Sequence, residues 1–455
     1  MTSRRTAVTR FLTAIIGLCV AGRASAQVMT AEQAVAIALK NNPTVANAEA
    51  SVLDAKAGVY NAYSGVLPRV SGSLTRSGSR TDNQQGNRQI SSGFAVPTTG
   101  DYVSYSTDLG LQGSWSILDL SNLSSLSAAK QLQKASHFSL QSTRDQVAYD
   151  TRRQFYEVVR AVNLAAVSDS ALRLSRDNGR RVTALYEVGS VSKNDVLRAD
   201  VNTANSELDS LTAHQAVVNQ RILLSEILAI RESEMAPVDP NLAVTPMSFD
   251  EAALVAEAEK NRPDVRAVEA TLAGARANIS AARFAYLPYV TAGGNVSFNP
   301  KSTSTTTIDT LTGAPPLSLS SSSESDRQAS GQIALNLDIF NGLATQGRNA
   351  AAQASLRRAQ EARDAIVRNL QSEVHRVVLT YEAATAGEAV AARSLDSAEE
   401  GLKLSREKYN VGSATILDLI DAQVSYQRAA ANLVSARATI RVAEAAVDRV
   451  RGHAE

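Results

Sequence analysis

The amino-acid sequence predicts a mixed fold in which long α-helical coiled-coil hairpins alternate with a membrane β-sheet, all of it written as an internal tandem duplication. Three observations carry that prediction. First, Asn41, Pro43, Val45, Glu49, Leu67, Pro68 and Val70 recur as Asn261, Pro263, Val265, Glu269, Leu287, Pro288 and Val290, a constant spacing of 220 residues. Farther along, Tyr186, Val188, Gly189, Ser190 and Asp195 recur as Tyr409, Val411, Gly412, Ser413 and Asp418, at a spacing of 223. Second, after each Leu-Pro the apolar residues switch from the three-and-four spacing of a helix to strict alternation. Third, alanine fills long unbroken stretches while aromatics are only 5 % of the chain, which suits thin helix packing better than a thick globular core. Copies this long are not a short-period solenoid, and they imply two equivalent halves of one symmetric body.

The chain opens on Arg4, Arg5 and Arg10, continues with an apolar run from Phe11 to Val20, and reaches Ala24-Ser25-Ala26. This reads as a cleaved secretory signal peptide over residues 1–26, so that the mature chain starts at Gln27. The apolar run is too short to span a bilayer, which takes about 20 residues in a helix. Cys19 is the single cysteine, and Leu18 precedes it where a lipobox requires a small residue. The mature chain then has no thiol, which excludes disulfides and thiolate metal sites. Losing the signal removes four arginines and no acid, taking the formal charge from +1 to −3. Nothing in that balance points to nucleic acid.

The first repeat, residues 27–247, is expected to run through a helix carrying Pro43 near its start and ending at about Tyr63. Strands at about 66–76 and 103–118, a long helical hairpin at about 119–231 and a connecting segment at 232–247 follow. The second repeat, 248–455, is expected to hold a helix with Pro263 near its start and ending at about Phe284, strands at about 286–298 and 328–340, and a hairpin at about 341–451. In the strands Val70 and Leu74 alternate with Ser71 and Thr75, and Leu109, Leu111 and Trp115 with Asp108, Gln112 and Ser114. Val290 and Phe298 likewise alternate with Thr291 and Ser297, and Ile333 and Leu335 with Ala334 and Asn336. Strands of roughly ten residues with one apolar and one polar face match those that cross a membrane at a tilt. Residues 78–100 and 299–326 read as long polar loops between the paired strands.

Four strands cannot close a barrel in lipid, where an open sheet edge is not tolerated, so several chains must share one. The helix-forming stretches 119–187 and 341–410 are roughly 70 residues each, near 100 Å at about 1.5 Å per residue, and imply coiled-coil packing. They end at Val188-Gly189-Ser190 and Val411-Gly412-Ser413, where glycine suits a helix C-cap and the chain turns back. Pro237, Pro240 and Pro246 mark the connecting segment.

In this order, and twice, Asn41-Asn42-Pro43 and Asn261-Arg262-Pro263, Leu67-Pro68 and Leu287-Pro288, Leu337-Asp338-Ile339-Phe340-Asn341-Gly342 and the two Tyr-x-Val-Gly-Ser turns resemble the TolC family of outer-membrane channel proteins. The resemblance covers essentially the whole mature chain. It implies a homotrimer with a 12-stranded barrel in the cell outer membrane and a helical tunnel in the periplasm. The function it implies is a passive exit duct for a tripartite efflux pump or a type I secretion system. The partners it implies are outer-membrane lipid, a periplasmic adaptor and an inner-membrane pump of the RND or ABC type.

The resemblance also assigns residues. Asp418 and Asp421 fall where the family has an acidic ring at its periplasmic gate, and six carboxylates in one constriction would raise one another's pKa. Tyr409 and Asp195 fall where the family has a hydrogen-bonded gate latch. Val188, Gly189, Ser190, Val411, Gly412 and Ser413 fall at its adaptor-docking turns. The family's basic residue two positions after the second glycine is Ala414 here, with Lys193 near the first turn as a candidate substitute. The residues by themselves read differently in part: Ser192-x-x-Asp195 and Thr415-x-x-Asp418 have the form of capping boxes.

An enzyme is not expected. His137, His214, His375 and His453 are scattered without metal-ligand spacing, there is no glycine-rich phosphate loop, and no cofactor is implied. The other reading is a membrane-anchored, trimeric coiled-coil structural or adhesive protein without a conducting lumen. The inner strand faces weigh against it, because Ser, Thr, Gln, Asn and Gly suit a water-filled interior.

Overall fold

The computed structural model describes residues 28–89, 95–244, 247–309 and 318–452. The expected signal segment, Pro246 and His453 lie outside the described residues. Each copy opens on two helices, α1 (Ala31–Asn41) with α2 (Pro43–Tyr63), and α5 (Glu251–Asn261) with α6 (Pro263–Phe284). The break between them falls at the Asn-x-Pro motif, because proline at the first helical position lacks the N–H that would continue the preceding helix. Asn42 caps α2, its Oδ1 accepting from the Thr44 N–H at 2.8 Å. Arg262, the equivalent residue, has no acceptor and makes no such cap.

The strands β1 (Arg69–Gln89), β2 (Ala95–Leu118), β3 (Tyr289–Asp309) and β4 (Ser318–Asn336) form one antiparallel sheet in the order β1-β2-β3-β4. β1, β3 and β4 differ from the expected strands at both ends, whereas β2 starts earlier but ends at Leu118 as expected. β1 and β3 begin just after Pro68 and Pro288, which have no N–H to give a ladder. β4 ends at Asn336 rather than 340, since Asn336 faces Tyr289, the first residue of β3, and no partner remains beyond it. The chain then turns at Gly342 and Leu343, both with left-handed φ. The segments expected to be polar loops are instead mostly strand, running to Gln89, from Ala95, to Asp309 and from Ser318. Their Ser- and Thr-rich sequence supports pairing, but with both faces polar the alternation that marks a strand vanishes.

The register puts the apolar side chains in shared rows: Leu74, Leu109 and Phe298; Leu111 and Val296; Trp115, Ala292 and Ile333; and Val290 with Leu335. These rows cover about eight residue steps, near 27 Å along a strand at about 3.4 Å each, or roughly 20 Å in height at the tilt of a barrel strand. That approaches the apolar band of an outer-membrane barrel. Val70 and Ile333 are 74 % and 75 % exposed on this face. The opposite face is polar and internally bonded: Ser77 with Ser106 at 2.7 Å, Asn336 to Thr291 at 3.1 Å, and Ser330 to Asn295. Among the described residues no helix is long and apolar enough to cross a membrane.

The long helices are α3 (Leu120–Glu187), α4 (Lys193–Leu228), α7 (Ala344–Asn410) and α8 (Ile416–Arg451). The chain forms two compact units, and each takes segments from both sequence copies. One contains residues 38–150, 244–390 and 439–455. In it the Ser121 hydroxyl donates to the Ala281 carbonyl at 2.9 Å, fixing the start of α3 on α6. Leu254, Val265, Leu370, Val374 and Val450 form one of its cores. Beside that core Arg262, 7 % exposed, pairs with Asp264 at 2.6 Å and Glu373 at 2.7 Å, and Arg449 reaches Glu373 at 3.4 Å.

The other unit contains residues 1–37, 151–243 and 391–438. There Met29 and Val238 make an isolated parallel bridge, with the Met29 N–H donating to the Pro237 carbonyl at 2.8 Å. This ties the start of the described chain to the connecting segment, which also holds a single 3-10 turn, Glu232–Glu234. Asn163 on α3 donates to the Pro240 carbonyl at 2.9 Å.

Candidate functional site

All the residues singled out as gate, latch and docking turns lie in this second unit. The two helical turns are built alike. Gly189 and Gly412 both have φ +77°, a conformation that costs a side-chain-bearing residue about 1–2 kcal/mol. Ser190 N–H reaches back to the Leu185 carbonyl at 2.8 Å, and Ser413 N–H to the Lys408 carbonyl at 2.9 Å. These six-to-one bonds close the ends of α3 and α7 as Schellman turns. Val188 and Val411 stand at the apices, 74 % and 78 % exposed.

Each returning helix begins with a capping box. Ser192 N–H donates to Asp195 Oδ2 at 3.0 Å and receives the Asp195 N–H on its hydroxyl at 3.2 Å. Thr415 repeats this with Asp418 at 2.8 and 3.3 Å. The bonds from the Thr415 backbone and then its hydroxyl hold the Asp418 carboxyl below its usual value. Asp421 lies three residues on, so the two carboxylates share a face of α8. Both are exposed, while Ile416 and Leu419 beside them are buried. The first copy presents Asp195 and Arg198 at the equivalent places, so only the second carries paired acids.

Behind the caps lies an apolar core of Val182, Val196, Ala199, Leu402, Tyr409, Ile416 and Leu419. Val196 and Leu419 are equivalent residues of the two copies, which meet here.

Tyr409 and Asp195 do not make the bond expected of a latch. Tyr409 is 8 % exposed and its hydroxyl has no hydrogen-bond partner among the described residues. The Asp195 carboxylate is taken up by its own helix cap. Asp195 still lies within electrostatic range: burial first, then the Asp195 charge, push the Tyr409 phenol above its ordinary value, and Arg181 opposes them. Arg181 is not evident in the sequence. Its Nη1 donates to Asn410 Oδ1 at 2.9 Å, tying α3 to α7. The only available signal is the difference between copies, for Leu404 stands at the position equivalent to Arg181. Lys193, the candidate substitute for a basic residue at Ala414, lies over the Tyr186 ring with Nζ 5.5 Å from its centre.

Since a buried hydroxyl without a partner costs about 1–3 kcal/mol, Tyr409→Phe is expected to leave the melting temperature unchanged or raise it. A clear fall in the circular-dichroism melt at 222 nm would mean that the hydroxyl is satisfied in the assembled protein.

Beside this core runs a groove of about 710 Å³, lined by Asn163, Leu174, Asn202, Lys403, Arg406 and Gln423 among others. Arg406 Nε and Gln423 Nε2 are buried there without hydrogen-bond partners among the described residues. Among the described residues no group of three or more His, Cys, Asp or Glu is placed to hold a metal ion. His214 and His375 pair singly with Asp169 and Glu251, both at 3.1 Å.

An antiparallel sheet with an apolar and a polar face, joined to long helix hairpins that end in acid-bearing turns, defines a membrane channel component rather than a soluble helical protein. The profile of the outer membrane efflux proteins matches residues 34–229 and 254–453. The chain belongs to the outer membrane efflux protein family, and it is an exit duct of the outer membrane. Solved structures agree in fold. The outer-membrane channel OprN is 19 % identical, with a TM-score of 0.73 over 93 % of this chain and 90 % of that one. The CmeC outer membrane channel of Campylobacter jejuni is 18 % identical, with a TM-score of 0.74 over 93 % and 86 %. The open state of the MtrE outer membrane channel of Neisseria gonorrhoeae is 20 % identical, with a TM-score of 0.71 over 93 % and 88 %. Comparison with curated proteins gave no significant match.

Proposed function

We propose that three copies of the mature chain, 27–455, close one 12-stranded barrel and act as the passive exit duct of a tripartite pump, with no catalytic step of their own. The observation that carries this is the sheet. Its apolar face fits lipid, yet among the described residues β1 and β4 each pair on one side only. In lipid each open edge leaves unsatisfied backbone groups at a cost of several kcal/mol apiece, and pairing β1 of one copy with β4 of the next removes both edges.

Inner-facing Ser71, Gln112, Asn295 and Ser330 then line a polar lumen. Asp418 and Asp421 from each copy form the acidic ring of the inner gate. Arg181 and Asn410 provide the polar tie between α3 and α7 at that gate, where Ala414 supplies no charge. The exposed Val188 and Val411 apices are the docking points for a periplasmic adaptor, which couples the duct to an inner-membrane pump of the RND or ABC type.

Light scattering on detergent-solubilised protein is expected to give a mass of three chains, and planar bilayers are expected to show discrete conductance steps. A monomer that inserts without conducting would overturn the reading.

A further inference from the structure

Just beyond the apolar rows, the charges on the sheet separate by face. On the face that carries Leu74, Leu109 and Phe298, the next residues outward are Arg327, Arg76 and Arg80, and the first acids in that alternation are Asp82 and Asp101, paired one row beyond Arg80. The opposite face carries Asp108, Asp326 and Glu324 over the same span, with Lys301. The side of the band is also informative, because these residues lie toward the β-hairpin ends, away from where α3 and α7 begin.

Arg76 sits in a built surface. A groove of about 330 Å³ crosses all four strands, lined by Arg76, Tyr105, Pro300 and Ser302 of this face and also by Lys301 and Glu324, which face each other across β3 and β4. Tyr105 lies across Gly78, where an added Cβ would meet its ring at 3.0 Å, and the residue is 54 % exposed. The Arg327 guanidinium stacks 5.4 Å from the centre of the Phe298 ring. Stacking holds the guanidinium plane and leaves its N–H edges free for a planar, two-point acceptor. Neither Arg76 nor Arg327 has an ion-pair partner among the described residues.

We propose that this face binds the phosphate groups of an anionic lipid in the outer leaflet, with Arg76 and Arg327 as the phosphate ligands and Tyr105 as the aromatic anchor at the headgroup level. The inference rests on the barrel reading above. Closure sets β1 of one copy beside β4 of the next, so Arg76 and Arg327 flank each seam between copies, and a bound diphosphorylated headgroup bridges it. Arginine suits this task because its fork matches phosphate oxygens, and aromatic residues settle at the membrane–water boundary.

The test uses the full-length mature protein in vesicles of phosphatidylcholine alone and of phosphatidylcholine doped with diphosphorylated lipid A, with retained lipid measured after purification. Wild type is expected to retain the phosphorylated lipid, and R76Q/R327Q to lose that retention roughly thirtyfold, the scale for removing two arginines at a charged membrane surface. R69Q removes a charge from the same strand on the polar, inner face and is expected to retain lipid as wild type does. Equal retention by R76Q/R327Q, or an equal loss in R69Q, overturns the proposal. Added inorganic phosphate is expected not to displace the lipid, and displacement would make this a site for the free anion and overturn the assignment to lipid. Conductance of the same samples keeps the readings apart: wild type that retains lipid but never conducts overturns the channel reading alone.

Discussion

Replacing Arg262 with methionine is expected to destabilise the unit that contains it by about 3–5 kcal/mol, the range for removing one partner from a buried ion pair. The physical reason is the charge left behind. Arg262 is bonded through Nη2 to Asp264 at 2.6 Å and through Nη1 to Glu373 at 2.7 Å, and these carboxylates are only 29 % and 17 % exposed. Without Arg262, Glu373 keeps only the longer contact to Arg449 at 3.4 Å. Methionine preserves volume, so the loss reports charge rather than a cavity. Arg262→Asn restores the residue that caps α2 in the first copy and is still expected to lose most of the stability, which separates pairing from capping. Arg262→Met with Glu373→Gln should recover part of it, because the second change removes the orphaned charge. Thermal melts followed at 222 nm check all three, and a wild-type-like melt for Arg262→Met would show that the network contributes nothing.

The same network fixes a pH dependence. Burial pulls the Asp264 carboxyl upward, but its bonds to Arg262 and the Val265 N–H outweigh burial and leave it below the ordinary aspartate value. A carboxylate lowered on folding contributes stability that is present above its unfolded pKa, near 4, and is lost as pH falls through the folded value. The gap between wild type and Arg262→Met is therefore expected to be full at neutral pH and to narrow below about pH 4. A gap that widens in acid would contradict the assignment.

Arg262 also shows what the sequence could and could not reveal. The duplication makes the position conspicuous, for Asn42 stands at its equivalent. Its partner Glu373 lies more than a hundred residues away with no local pattern linking the two, so the pairing is invisible there. The strands are legible only where their faces differ. From Val70 to Leu74 and from Val290 to Phe298 one face is apolar, and alternation marks the strand. Beyond Thr75 and Asn299 both faces are polar, hydrogen-bonded pairing alone continues the sheet, and composition reads as loop. The turns are legible because a left-handed residue demands glycine, and Gly189 and Gly412 have the same φ. Asp195 carries two signals, a latch by resemblance and a cap by its spacing to Ser192, and the cap is what the structure forms. Nothing local could place the buried Tyr409 hydroxyl or bring Arg181 to Asn410, since both depend on the packing of one copy against the other.

Replacing both Asp418 and Asp421 with asparagine is expected to bring the potassium-to-chloride permeability ratio of the reconstituted channel down several-fold, toward unity. A narrow ring of like charge concentrates counter-ions, and its effect on exposed groups is felt within about 10 Å at 0.1 M salt. The two acids share the exposed face of α8, and the first copy offers Asp195 with Arg198 instead, so in the proposed trimer only the second copy would bring paired acids to the gate. Two influences act on Asp418 in opposite directions. Bonds from Thr415 lower its pKa within one chain, whereas neighbouring carboxylates across a ring raise it. Titrating the permeability ratio decides between them: a selectivity that persists well below pH 4 means the cap dominates, and one that fades above pH 5 means the ring does. The single variants add the last discrimination. In Asp418→Asn the side-chain carbonyl can still accept the Thr415 bonds, so this change removes charge while sparing the cap, and a loss of selectivity without a loss of helix signal ties the effect to charge. If the double variant keeps the wild-type permeability ratio at low salt, the carboxylates are caps and surface groups only, and the selective constriction lies elsewhere.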